Sequence, residues 1–111
     1  PSLWRESFGR VAAEALANDL PVLASDRGAL PESLGDAGFV ITLPERCSPA
    51  GGVPTPRDVA PWLAVIERLW DDPVWAARHR EMALAAAARW DDKDSSGKFL
   101  NLFQELVGQN T

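Results

Sequence analysis

A chain of 111 residues with 46% hydrophobic content holds enough apolar material for one domain with a modest core and excludes a disordered or fibrous class. Its formal net charge of −5, with no basic run interleaved with aromatics, argues against a nucleic-acid partner. A single cysteine excludes an intrachain disulfide, and no apolar run approaches the ~20 residues of a membrane span. With no leader-like pattern at the N-terminus, a reducing, cytoplasmic compartment is expected, and any membrane contact would be peripheral and made through parts outside this chain. Cys47 and the lone His79 carry no ligand spacing; they are expected as a loop thiol and a helix-surface imidazole, and no metal or cofactor is expected.

In chain order, residues 1–5, headed by Pro1 and Ser2, read as a loop leaving a strand that the chain does not contain. Ser7 is the candidate N-cap of a first helix whose stripe, Phe8, Val11, Ala12, Ala15 and Leu16, recurs at i, i+3, i+4, i+7 and i+8. Gly9 in its first turn admits close approach to the backbone, and a helix start offers unpaired N–H groups and a partial positive charge to an anion. Pro21 to Ser25 is a short apolar run bounded by turn residues, as a buried parallel strand requires, and Asp26-Arg27-Gly28 turns the chain out of it. Pro31 to Leu34 is a short helix and Phe39 to Leu43 a second strand, which implies a parallel crossover.

Pro44 to Pro54 is a loop by composition, a lid or an insertion, with insertion favoured. Thr55, Pro56 and Asp58 mark a helix start, followed by an apolar face of Val59, Trp62, Leu63, Ile66, Leu69 and Trp70. Asp72-Pro73 caps a third long helix running to about Arg89, with Trp75, Met82 and Ala86 expected to face inward. The last helix, starting near Asp94, carries Phe99, Leu102, Phe103, Leu106 and Val107 at helical spacing, a stripe that needs a partner surface.

The chemistry-bearing stretch is Glu6 to Glu14. It reads as a loop carboxylate, a Phe8-Gly9 turn and a helix carrying the second carboxylate, and eight steps of helix advance roughly 12 Å and leave the two groups within about a quarter-turn of each other. A nucleoside diphosphate sugar lying along such a helix would put its hexose near Glu6, its pyrophosphate over the helix start and its ribose diol near Glu14, since carboxylates accept well from vicinal hydroxyls. Two glutamates eight apart are common, however, and Arg10 with Glu14 makes an i, i+4 pair that can simply decorate a solvated face.

Pro1-Ser2, Glu6-Ser7-Phe8-Gly9, Glu14-Ala15, Ala17, Pro21-Val22 and Gly28-Ala29-Leu30-Pro31-Glu32 together resemble the donor-site signature of the retaining, GT-B-fold glycosyltransferases of glycosyltransferase family four, known for an E-x7-E motif. The resemblance is strong over the first ~45 residues and continues beyond them in helical layout alone. It implies an α/β fold, the distal half of a Rossmann-like domain with parallel strands, flanking helices and a helix-rich C-terminal part. It also implies hexosyl transfer from a nucleotide sugar to an acceptor hydroxyl. By the resemblance, Glu6 contacts the donor sugar and is the catalytic candidate, Phe8 and Gly9 lie by the sugar and distal phosphate, Glu14 holds the ribose, and Ser7 and Arg10 complete the donor-binding set. The chain departs from the family at Arg10, at Asp19 where a glycine usually follows the helix, and at Ala29 where a second glycine is usual.

The resemblance further implies that the basic pair for the pyrophosphate and an N-terminal, acceptor-binding lobe lie outside these residues, so that the fragment alone would be inactive. Two strands leave open edges, and self-association through an edge or the last helix is expected. The alternative is a non-catalytic α/β interaction module whose carboxylates are incidental. A phosphorylase-like or epimerase-like relative of the same fold would lack the motif.

Overall fold

The first helix begins later than its apolar pattern suggests. The computed structural model describes residues 2–90 and 92–109, so Pro1 lies outside the described residues. Helix α1 (Arg10–Ala17) has Gly9 as its N-cap, in a left-handed conformation (φ 79°, ψ 54°), and no side chain caps it. Ser7 is therefore not the cap: the backbone at Glu6 is bridged to Gly28, and the chain turns into the helix only at Gly9. The buried stripe shortens accordingly to Ala12 and Leu16 with a half-buried Ala15. Phe8 precedes the helix, and Val11 is 80% exposed.

At the other end of α1, Asp19 takes the left-handed position (φ 58°). The Asp19 N–H donates to the Leu16 carbonyl (3.2 Å) and the Leu20 N–H to the Ala15 carbonyl (3.1 Å), the pair of bonds that closes a Schellman turn. The chain then enters strand β1 (Val22–Ser25), crosses over through helix α2 (Leu30–Leu34) and a 3-10 turn (Gly35–Ala37), and returns as strand β2 (Gly38–Ile41). The strands pair in parallel, with Val22 opposite Gly38 and Ser25 opposite Ile41. Among the described residues this sheet has two strands, so the far edge of β1 is open.

Helices α3 (Pro56–Asp71) and α4 (Pro73–Ala87) follow, then a 3-10 turn (Ala88–Trp90) and helix α5 (Asp92–Gln109). Thr55 and Asp58 form a reciprocal capping box at the start of α3, and Asp72 accepts the Trp75 N–H at the start of α4, as the sequence indicates. The core gathers Ala12, Leu16, Ala24, Leu30, Leu34, Ala37 and Ala83, with Val22, Ala86 and Ala87 packed against it. Small side chains dominate it, which lets α1 and α4 approach closely through Ala12, Leu16 and Ala83. A helix-rich α/β layout with parallel strands and flanking helices, a partial Rossmann-like domain, is thus what the chain forms.

The structure refines the sequence expectations at the level of side chains. On α3 Trp62 is buried, whereas Leu63 and Ile66 border an apolar groove of about 630 Å³ that also meets Leu23 and Leu43, and Trp70 is 86% exposed. Cys47 is the expected loop thiol and is buried, because the guanidinium of Arg27, itself 6% exposed, draws its loop inward. Arg27 Nη2 donates to the carbonyls of Pro44 (2.8 Å), Cys47 (2.9 Å) and Leu43 (3.4 Å), and Nη1 pairs with Glu45 (3.3 Å). The Pro44–Pro54 loop is thereby pinned to the sheet end, and Asp26 accepts the Leu43 N–H beside it (3.1 Å). His79 is no plain surface imidazole: its ring lies 4.5 Å from Phe39 and 4.3 Å from Trp75. Burial, then the charges of Arg78 and Arg68, hold its pKa below the ordinary imidazole value.

Candidate functional site

Glu6 is positioned by backbone pairing rather than by a helix. Its carbonyl accepts the Ala29 N–H (2.7 Å), and it forms a parallel bridge with Gly28. Gly28 has φ 59°, and a Cβ there would stand 2.2 Å from the Glu6 carbonyl oxygen and 2.5 Å from its nitrogen. The glycine after the first strand therefore exists to let the Glu6 segment lie directly against the turn. The side chain is held from the other direction, where the Ser2 hydroxyl donates to Glu6 Oε1 (3.1 Å). Ser2 is itself tied to the strand end, since the Ser25 hydroxyl donates to its carbonyl (2.5 Å). A fully buried serine at the C-terminal end of β1 thus fixes the loop that fixes the carboxylate.

Gly9 is constrained twice. Its positive φ disfavours any residue with a side chain, and an added Cβ would stand 2.6 Å from Leu30 Cδ2. Its carbonyl takes the first bonds of α1, from Ala12 (2.9 Å) and Ala13 (3.2 Å), so the free amide end of the helix opens where Glu6 stands. A cavity of about 330 Å³ lies there, bordered by Ser2, Glu6, Gly9, Arg10 and Val11, with β1 as its floor. It combines a half-buried carboxylate, a guanidinium, a helix N-terminus and apolar walls. Such a site can hold a polyhydroxylated, anionic ligand: the carboxylate accepts hydroxyls, while the helix end and Arg10 favour negative charge.

Of the sequence-predicted site residues, the structure brings Glu6, Gly9 and Arg10 together at this cavity. Ser7 and Phe8 are exposed beside it, the Phe8 ring turned to the ring of Trp90 at 4.9 Å. Glu14 stands on the exposed face of α1, its carboxylate bound to Arg10 Nε at 3.0 Å, the side chains 61% and 87% exposed. Glu6 belongs to the paired loop and Glu14 to the helix, as the sequence indicates, but because α1 starts only at Arg10 the helical advance does not describe the span between them. The roles of Ser25, Ser33 and Trp90 in holding this loop were not legible in the sequence, because each reaches it from at least 23 positions along the chain. Among the described residues, no three His, Cys, Asp or Glu side chains cluster as a metal site would require.

The family described as glycosyl transferases group 1 matches residues 1–87. Over 73 residues the chain is 41% identical to the MMP alpha-(1->4)-mannosyltransferase of Mycolicibacterium hassiacum, an alignment covering 66% of this chain and 15% of that protein. The chain thus corresponds to a small part of that relative's length, and no solved structure matches it. The paired glycine turn, the Glu6 loop and the α1 start all fall inside the matched residues, and the chain belongs to the glycosyl transferases group 1.

Proposed function

We propose that residues Glu6 to Glu14 form the donor side of a retaining hexosyltransferase of the family-four, GT-B kind, binding a nucleoside diphosphate sugar for transfer to an acceptor hydroxyl. The observation that carries this reading is the cavity in which Glu6, Gly9 and Arg10 converge at the start of α1. In it the pyrophosphate lies at the Gly9 helix end, where Arg10 and the amide dipoles offset its charge without a metal. The hexose lies against Glu6. As the bond from the anomeric carbon to phosphate breaks, positive charge grows on the sugar ring, and a carboxylate already oriented by Ser2 stabilises it. Glu14 receives the ribose diol after exchanging Arg10, and an exposed i, i+4 pair is worth at most about 0.5 kcal/mol, so the exchange costs little.

A mannosyl donor is the first candidate, since the relative that is 41% identical over 73 residues is a mannosyltransferase. Acceptor binding and turnover belong to the intact enzyme. The test is titration calorimetry of that enzyme with GDP-mannose, UDP-glucose, ADP-glucose and the corresponding diphosphates. Saturable binding of one donor, weakened by Glu14→Gln, supports the reading; no binding across the panel refutes it.

A further inference from the structure

We propose that Arg89 and Trp90, distant in sequence from the donor loop, are positioning residues that hold the Phe8–Gly9 backbone in its donor-receiving form; this rests on the donor-site reading above. The loop has no cap of its own, since Gly9 begins α1 without a side-chain hydrogen bond, and its left-handed backbone is one of several conformations a glycine adopts freely. Something else must select that conformation. Two contacts grip Phe8. Its carbonyl accepts the hydroxyl of Ser33, a residue 2% exposed, and its ring meets Trp90 edge-on at 4.9 Å and 88°. Arg89 links both: its guanidinium donates to the carbonyls of Ser33 and Glu32 (3.3 Å to the latter) and lies 4.9 Å over the Trp90 ring. The four residues close a ring, Phe8 to Ser33 to Arg89 to Trp90 and back to Phe8.

The chemistry explains the residue types. The last carbonyls of α2 are left without helical partners and carry partial negative charge, which an arginine satisfies at two points. Gly35 leaves room for it, since a Cβ there would stand 2.9 Å from Arg89 Nη1. An aromatic pair in T-shaped contact holds Phe8 by geometry rather than by charge. Without the Trp90 ring, Gly9 samples other backbone angles, and the donor finds the competent loop in only a fraction of molecules, which weakens apparent affinity by that fraction.

The experiment uses the intact enzyme and whichever sugar nucleotide of the four-part panel the wild type binds. Trp90→Ala should raise donor Kd and KM about three- to tenfold while leaving kcat nearly unchanged well below the melting temperature. Trp90→Phe, which keeps an edge-to-face partner, should return both to within about twofold of wild type. Amide exchange at Phe8 to Val11 should quicken in Trp90→Ala and recover in Trp90→Phe. Should Trp90→Ala fail to fold, Arg89→Gln, which leaves both rings, is predicted to raise donor KM as well. Unchanged donor Kd and KM in a folded variant, with the wild type binding donor, overturns the proposal alone; a wild type that binds no donor overturns it together with the donor-site reading.

Discussion

Gly28 is the residue on which the Glu6 loop is most exacting. An alanine there would place its Cβ 2.2 Å from the Glu6 carbonyl oxygen, at a φ of 59° that already disfavours a side chain. Backbone atoms cannot yield as a flexible side chain does, so Gly28→Ala is expected to destabilise the fold by at least about 2 kcal/mol, read as a lowered melting temperature. Asp19 is the opposite case. It occupies the left-handed position of the turn after α1 with both closing hydrogen bonds made, so only the strain of its side chain can be relieved. Asp19→Gly should stabilise by about 1 kcal/mol, raising the melting temperature; an unchanged or lowered value would show that the aspartate is at ease there. The position of Asp19 was legible, because a local hydrophobic stripe ends just before it. The reason for Gly28 was not, since it lies in a backbone contact with a residue 22 positions earlier.

Among the elements, α3 shows how a local signal becomes measurable energetics. Asp58 accepts the Thr55 N–H (2.8 Å), a bond from Arg46 and the Thr55 hydroxyl (2.9 Å), which together lower its pKa to about 2. The folded value lies below the unfolded one, so the carboxylate's contribution is present above about pH 4 and is lost as pH falls toward 2. Asp58→Asn should therefore melt below wild type at pH 7, with the gap narrowing by pH 2; a gap independent of pH would contradict the assignment. The Thr55 box was readable because every partner lies within four residues. The start of α1 was not: Ser7 satisfies the local rule for a cap, but tertiary pairing of Glu6 with Gly28 delays the helix to Gly9. The Pro44–Pro54 loop reads as a free insertion by composition, yet a buried Arg27 spends its guanidinium on that loop's carbonyls, and a charged residue in a turn gives no hint of such burial. The two carboxylates were legible as residues and as a loop group and a helix group, while the pairing with Gly28 that fixes Glu6 was not.

For the whole molecule, the radius of gyration is 17.6 Å, against about 13 Å for a compact chain of this length, and the principal extents are 60 × 38 × 16 Å. The core is built largely of alanines and leucines, the edge of β1 is unpaired, and Phe99, Leu102, Phe103 and Leu106 on α5 are all exposed. At roughly 25 cal/mol per Å², each apolar face offers several kcal/mol to whatever covers it. The isolated chain is predicted to self-associate or to melt at low temperature; sedimentation showing a monomer of high thermal stability would contradict this. The α/β layout was legible from the two short apolar runs and the long helical stripes, but which stripes would remain uncovered depends on surfaces this segment does not supply. The central claim, that Glu6 and Glu14 serve one donor in different ways, is tested most directly by donor-dependent transfer kinetics of the intact enzyme carrying Glu6→Gln or Glu14→Gln, with melts as control. In the proposed assignment Glu14 would bind the ribose in ground and transition states alike, so its loss should raise donor KM, and Glu6 would act most strongly as charge develops, so its loss should lower kcat. Each change should amount to about 1.5–3 kcal/mol, on the order of tenfold to over a hundredfold, whereas two folded variants with wild-type kinetics would contradict the account.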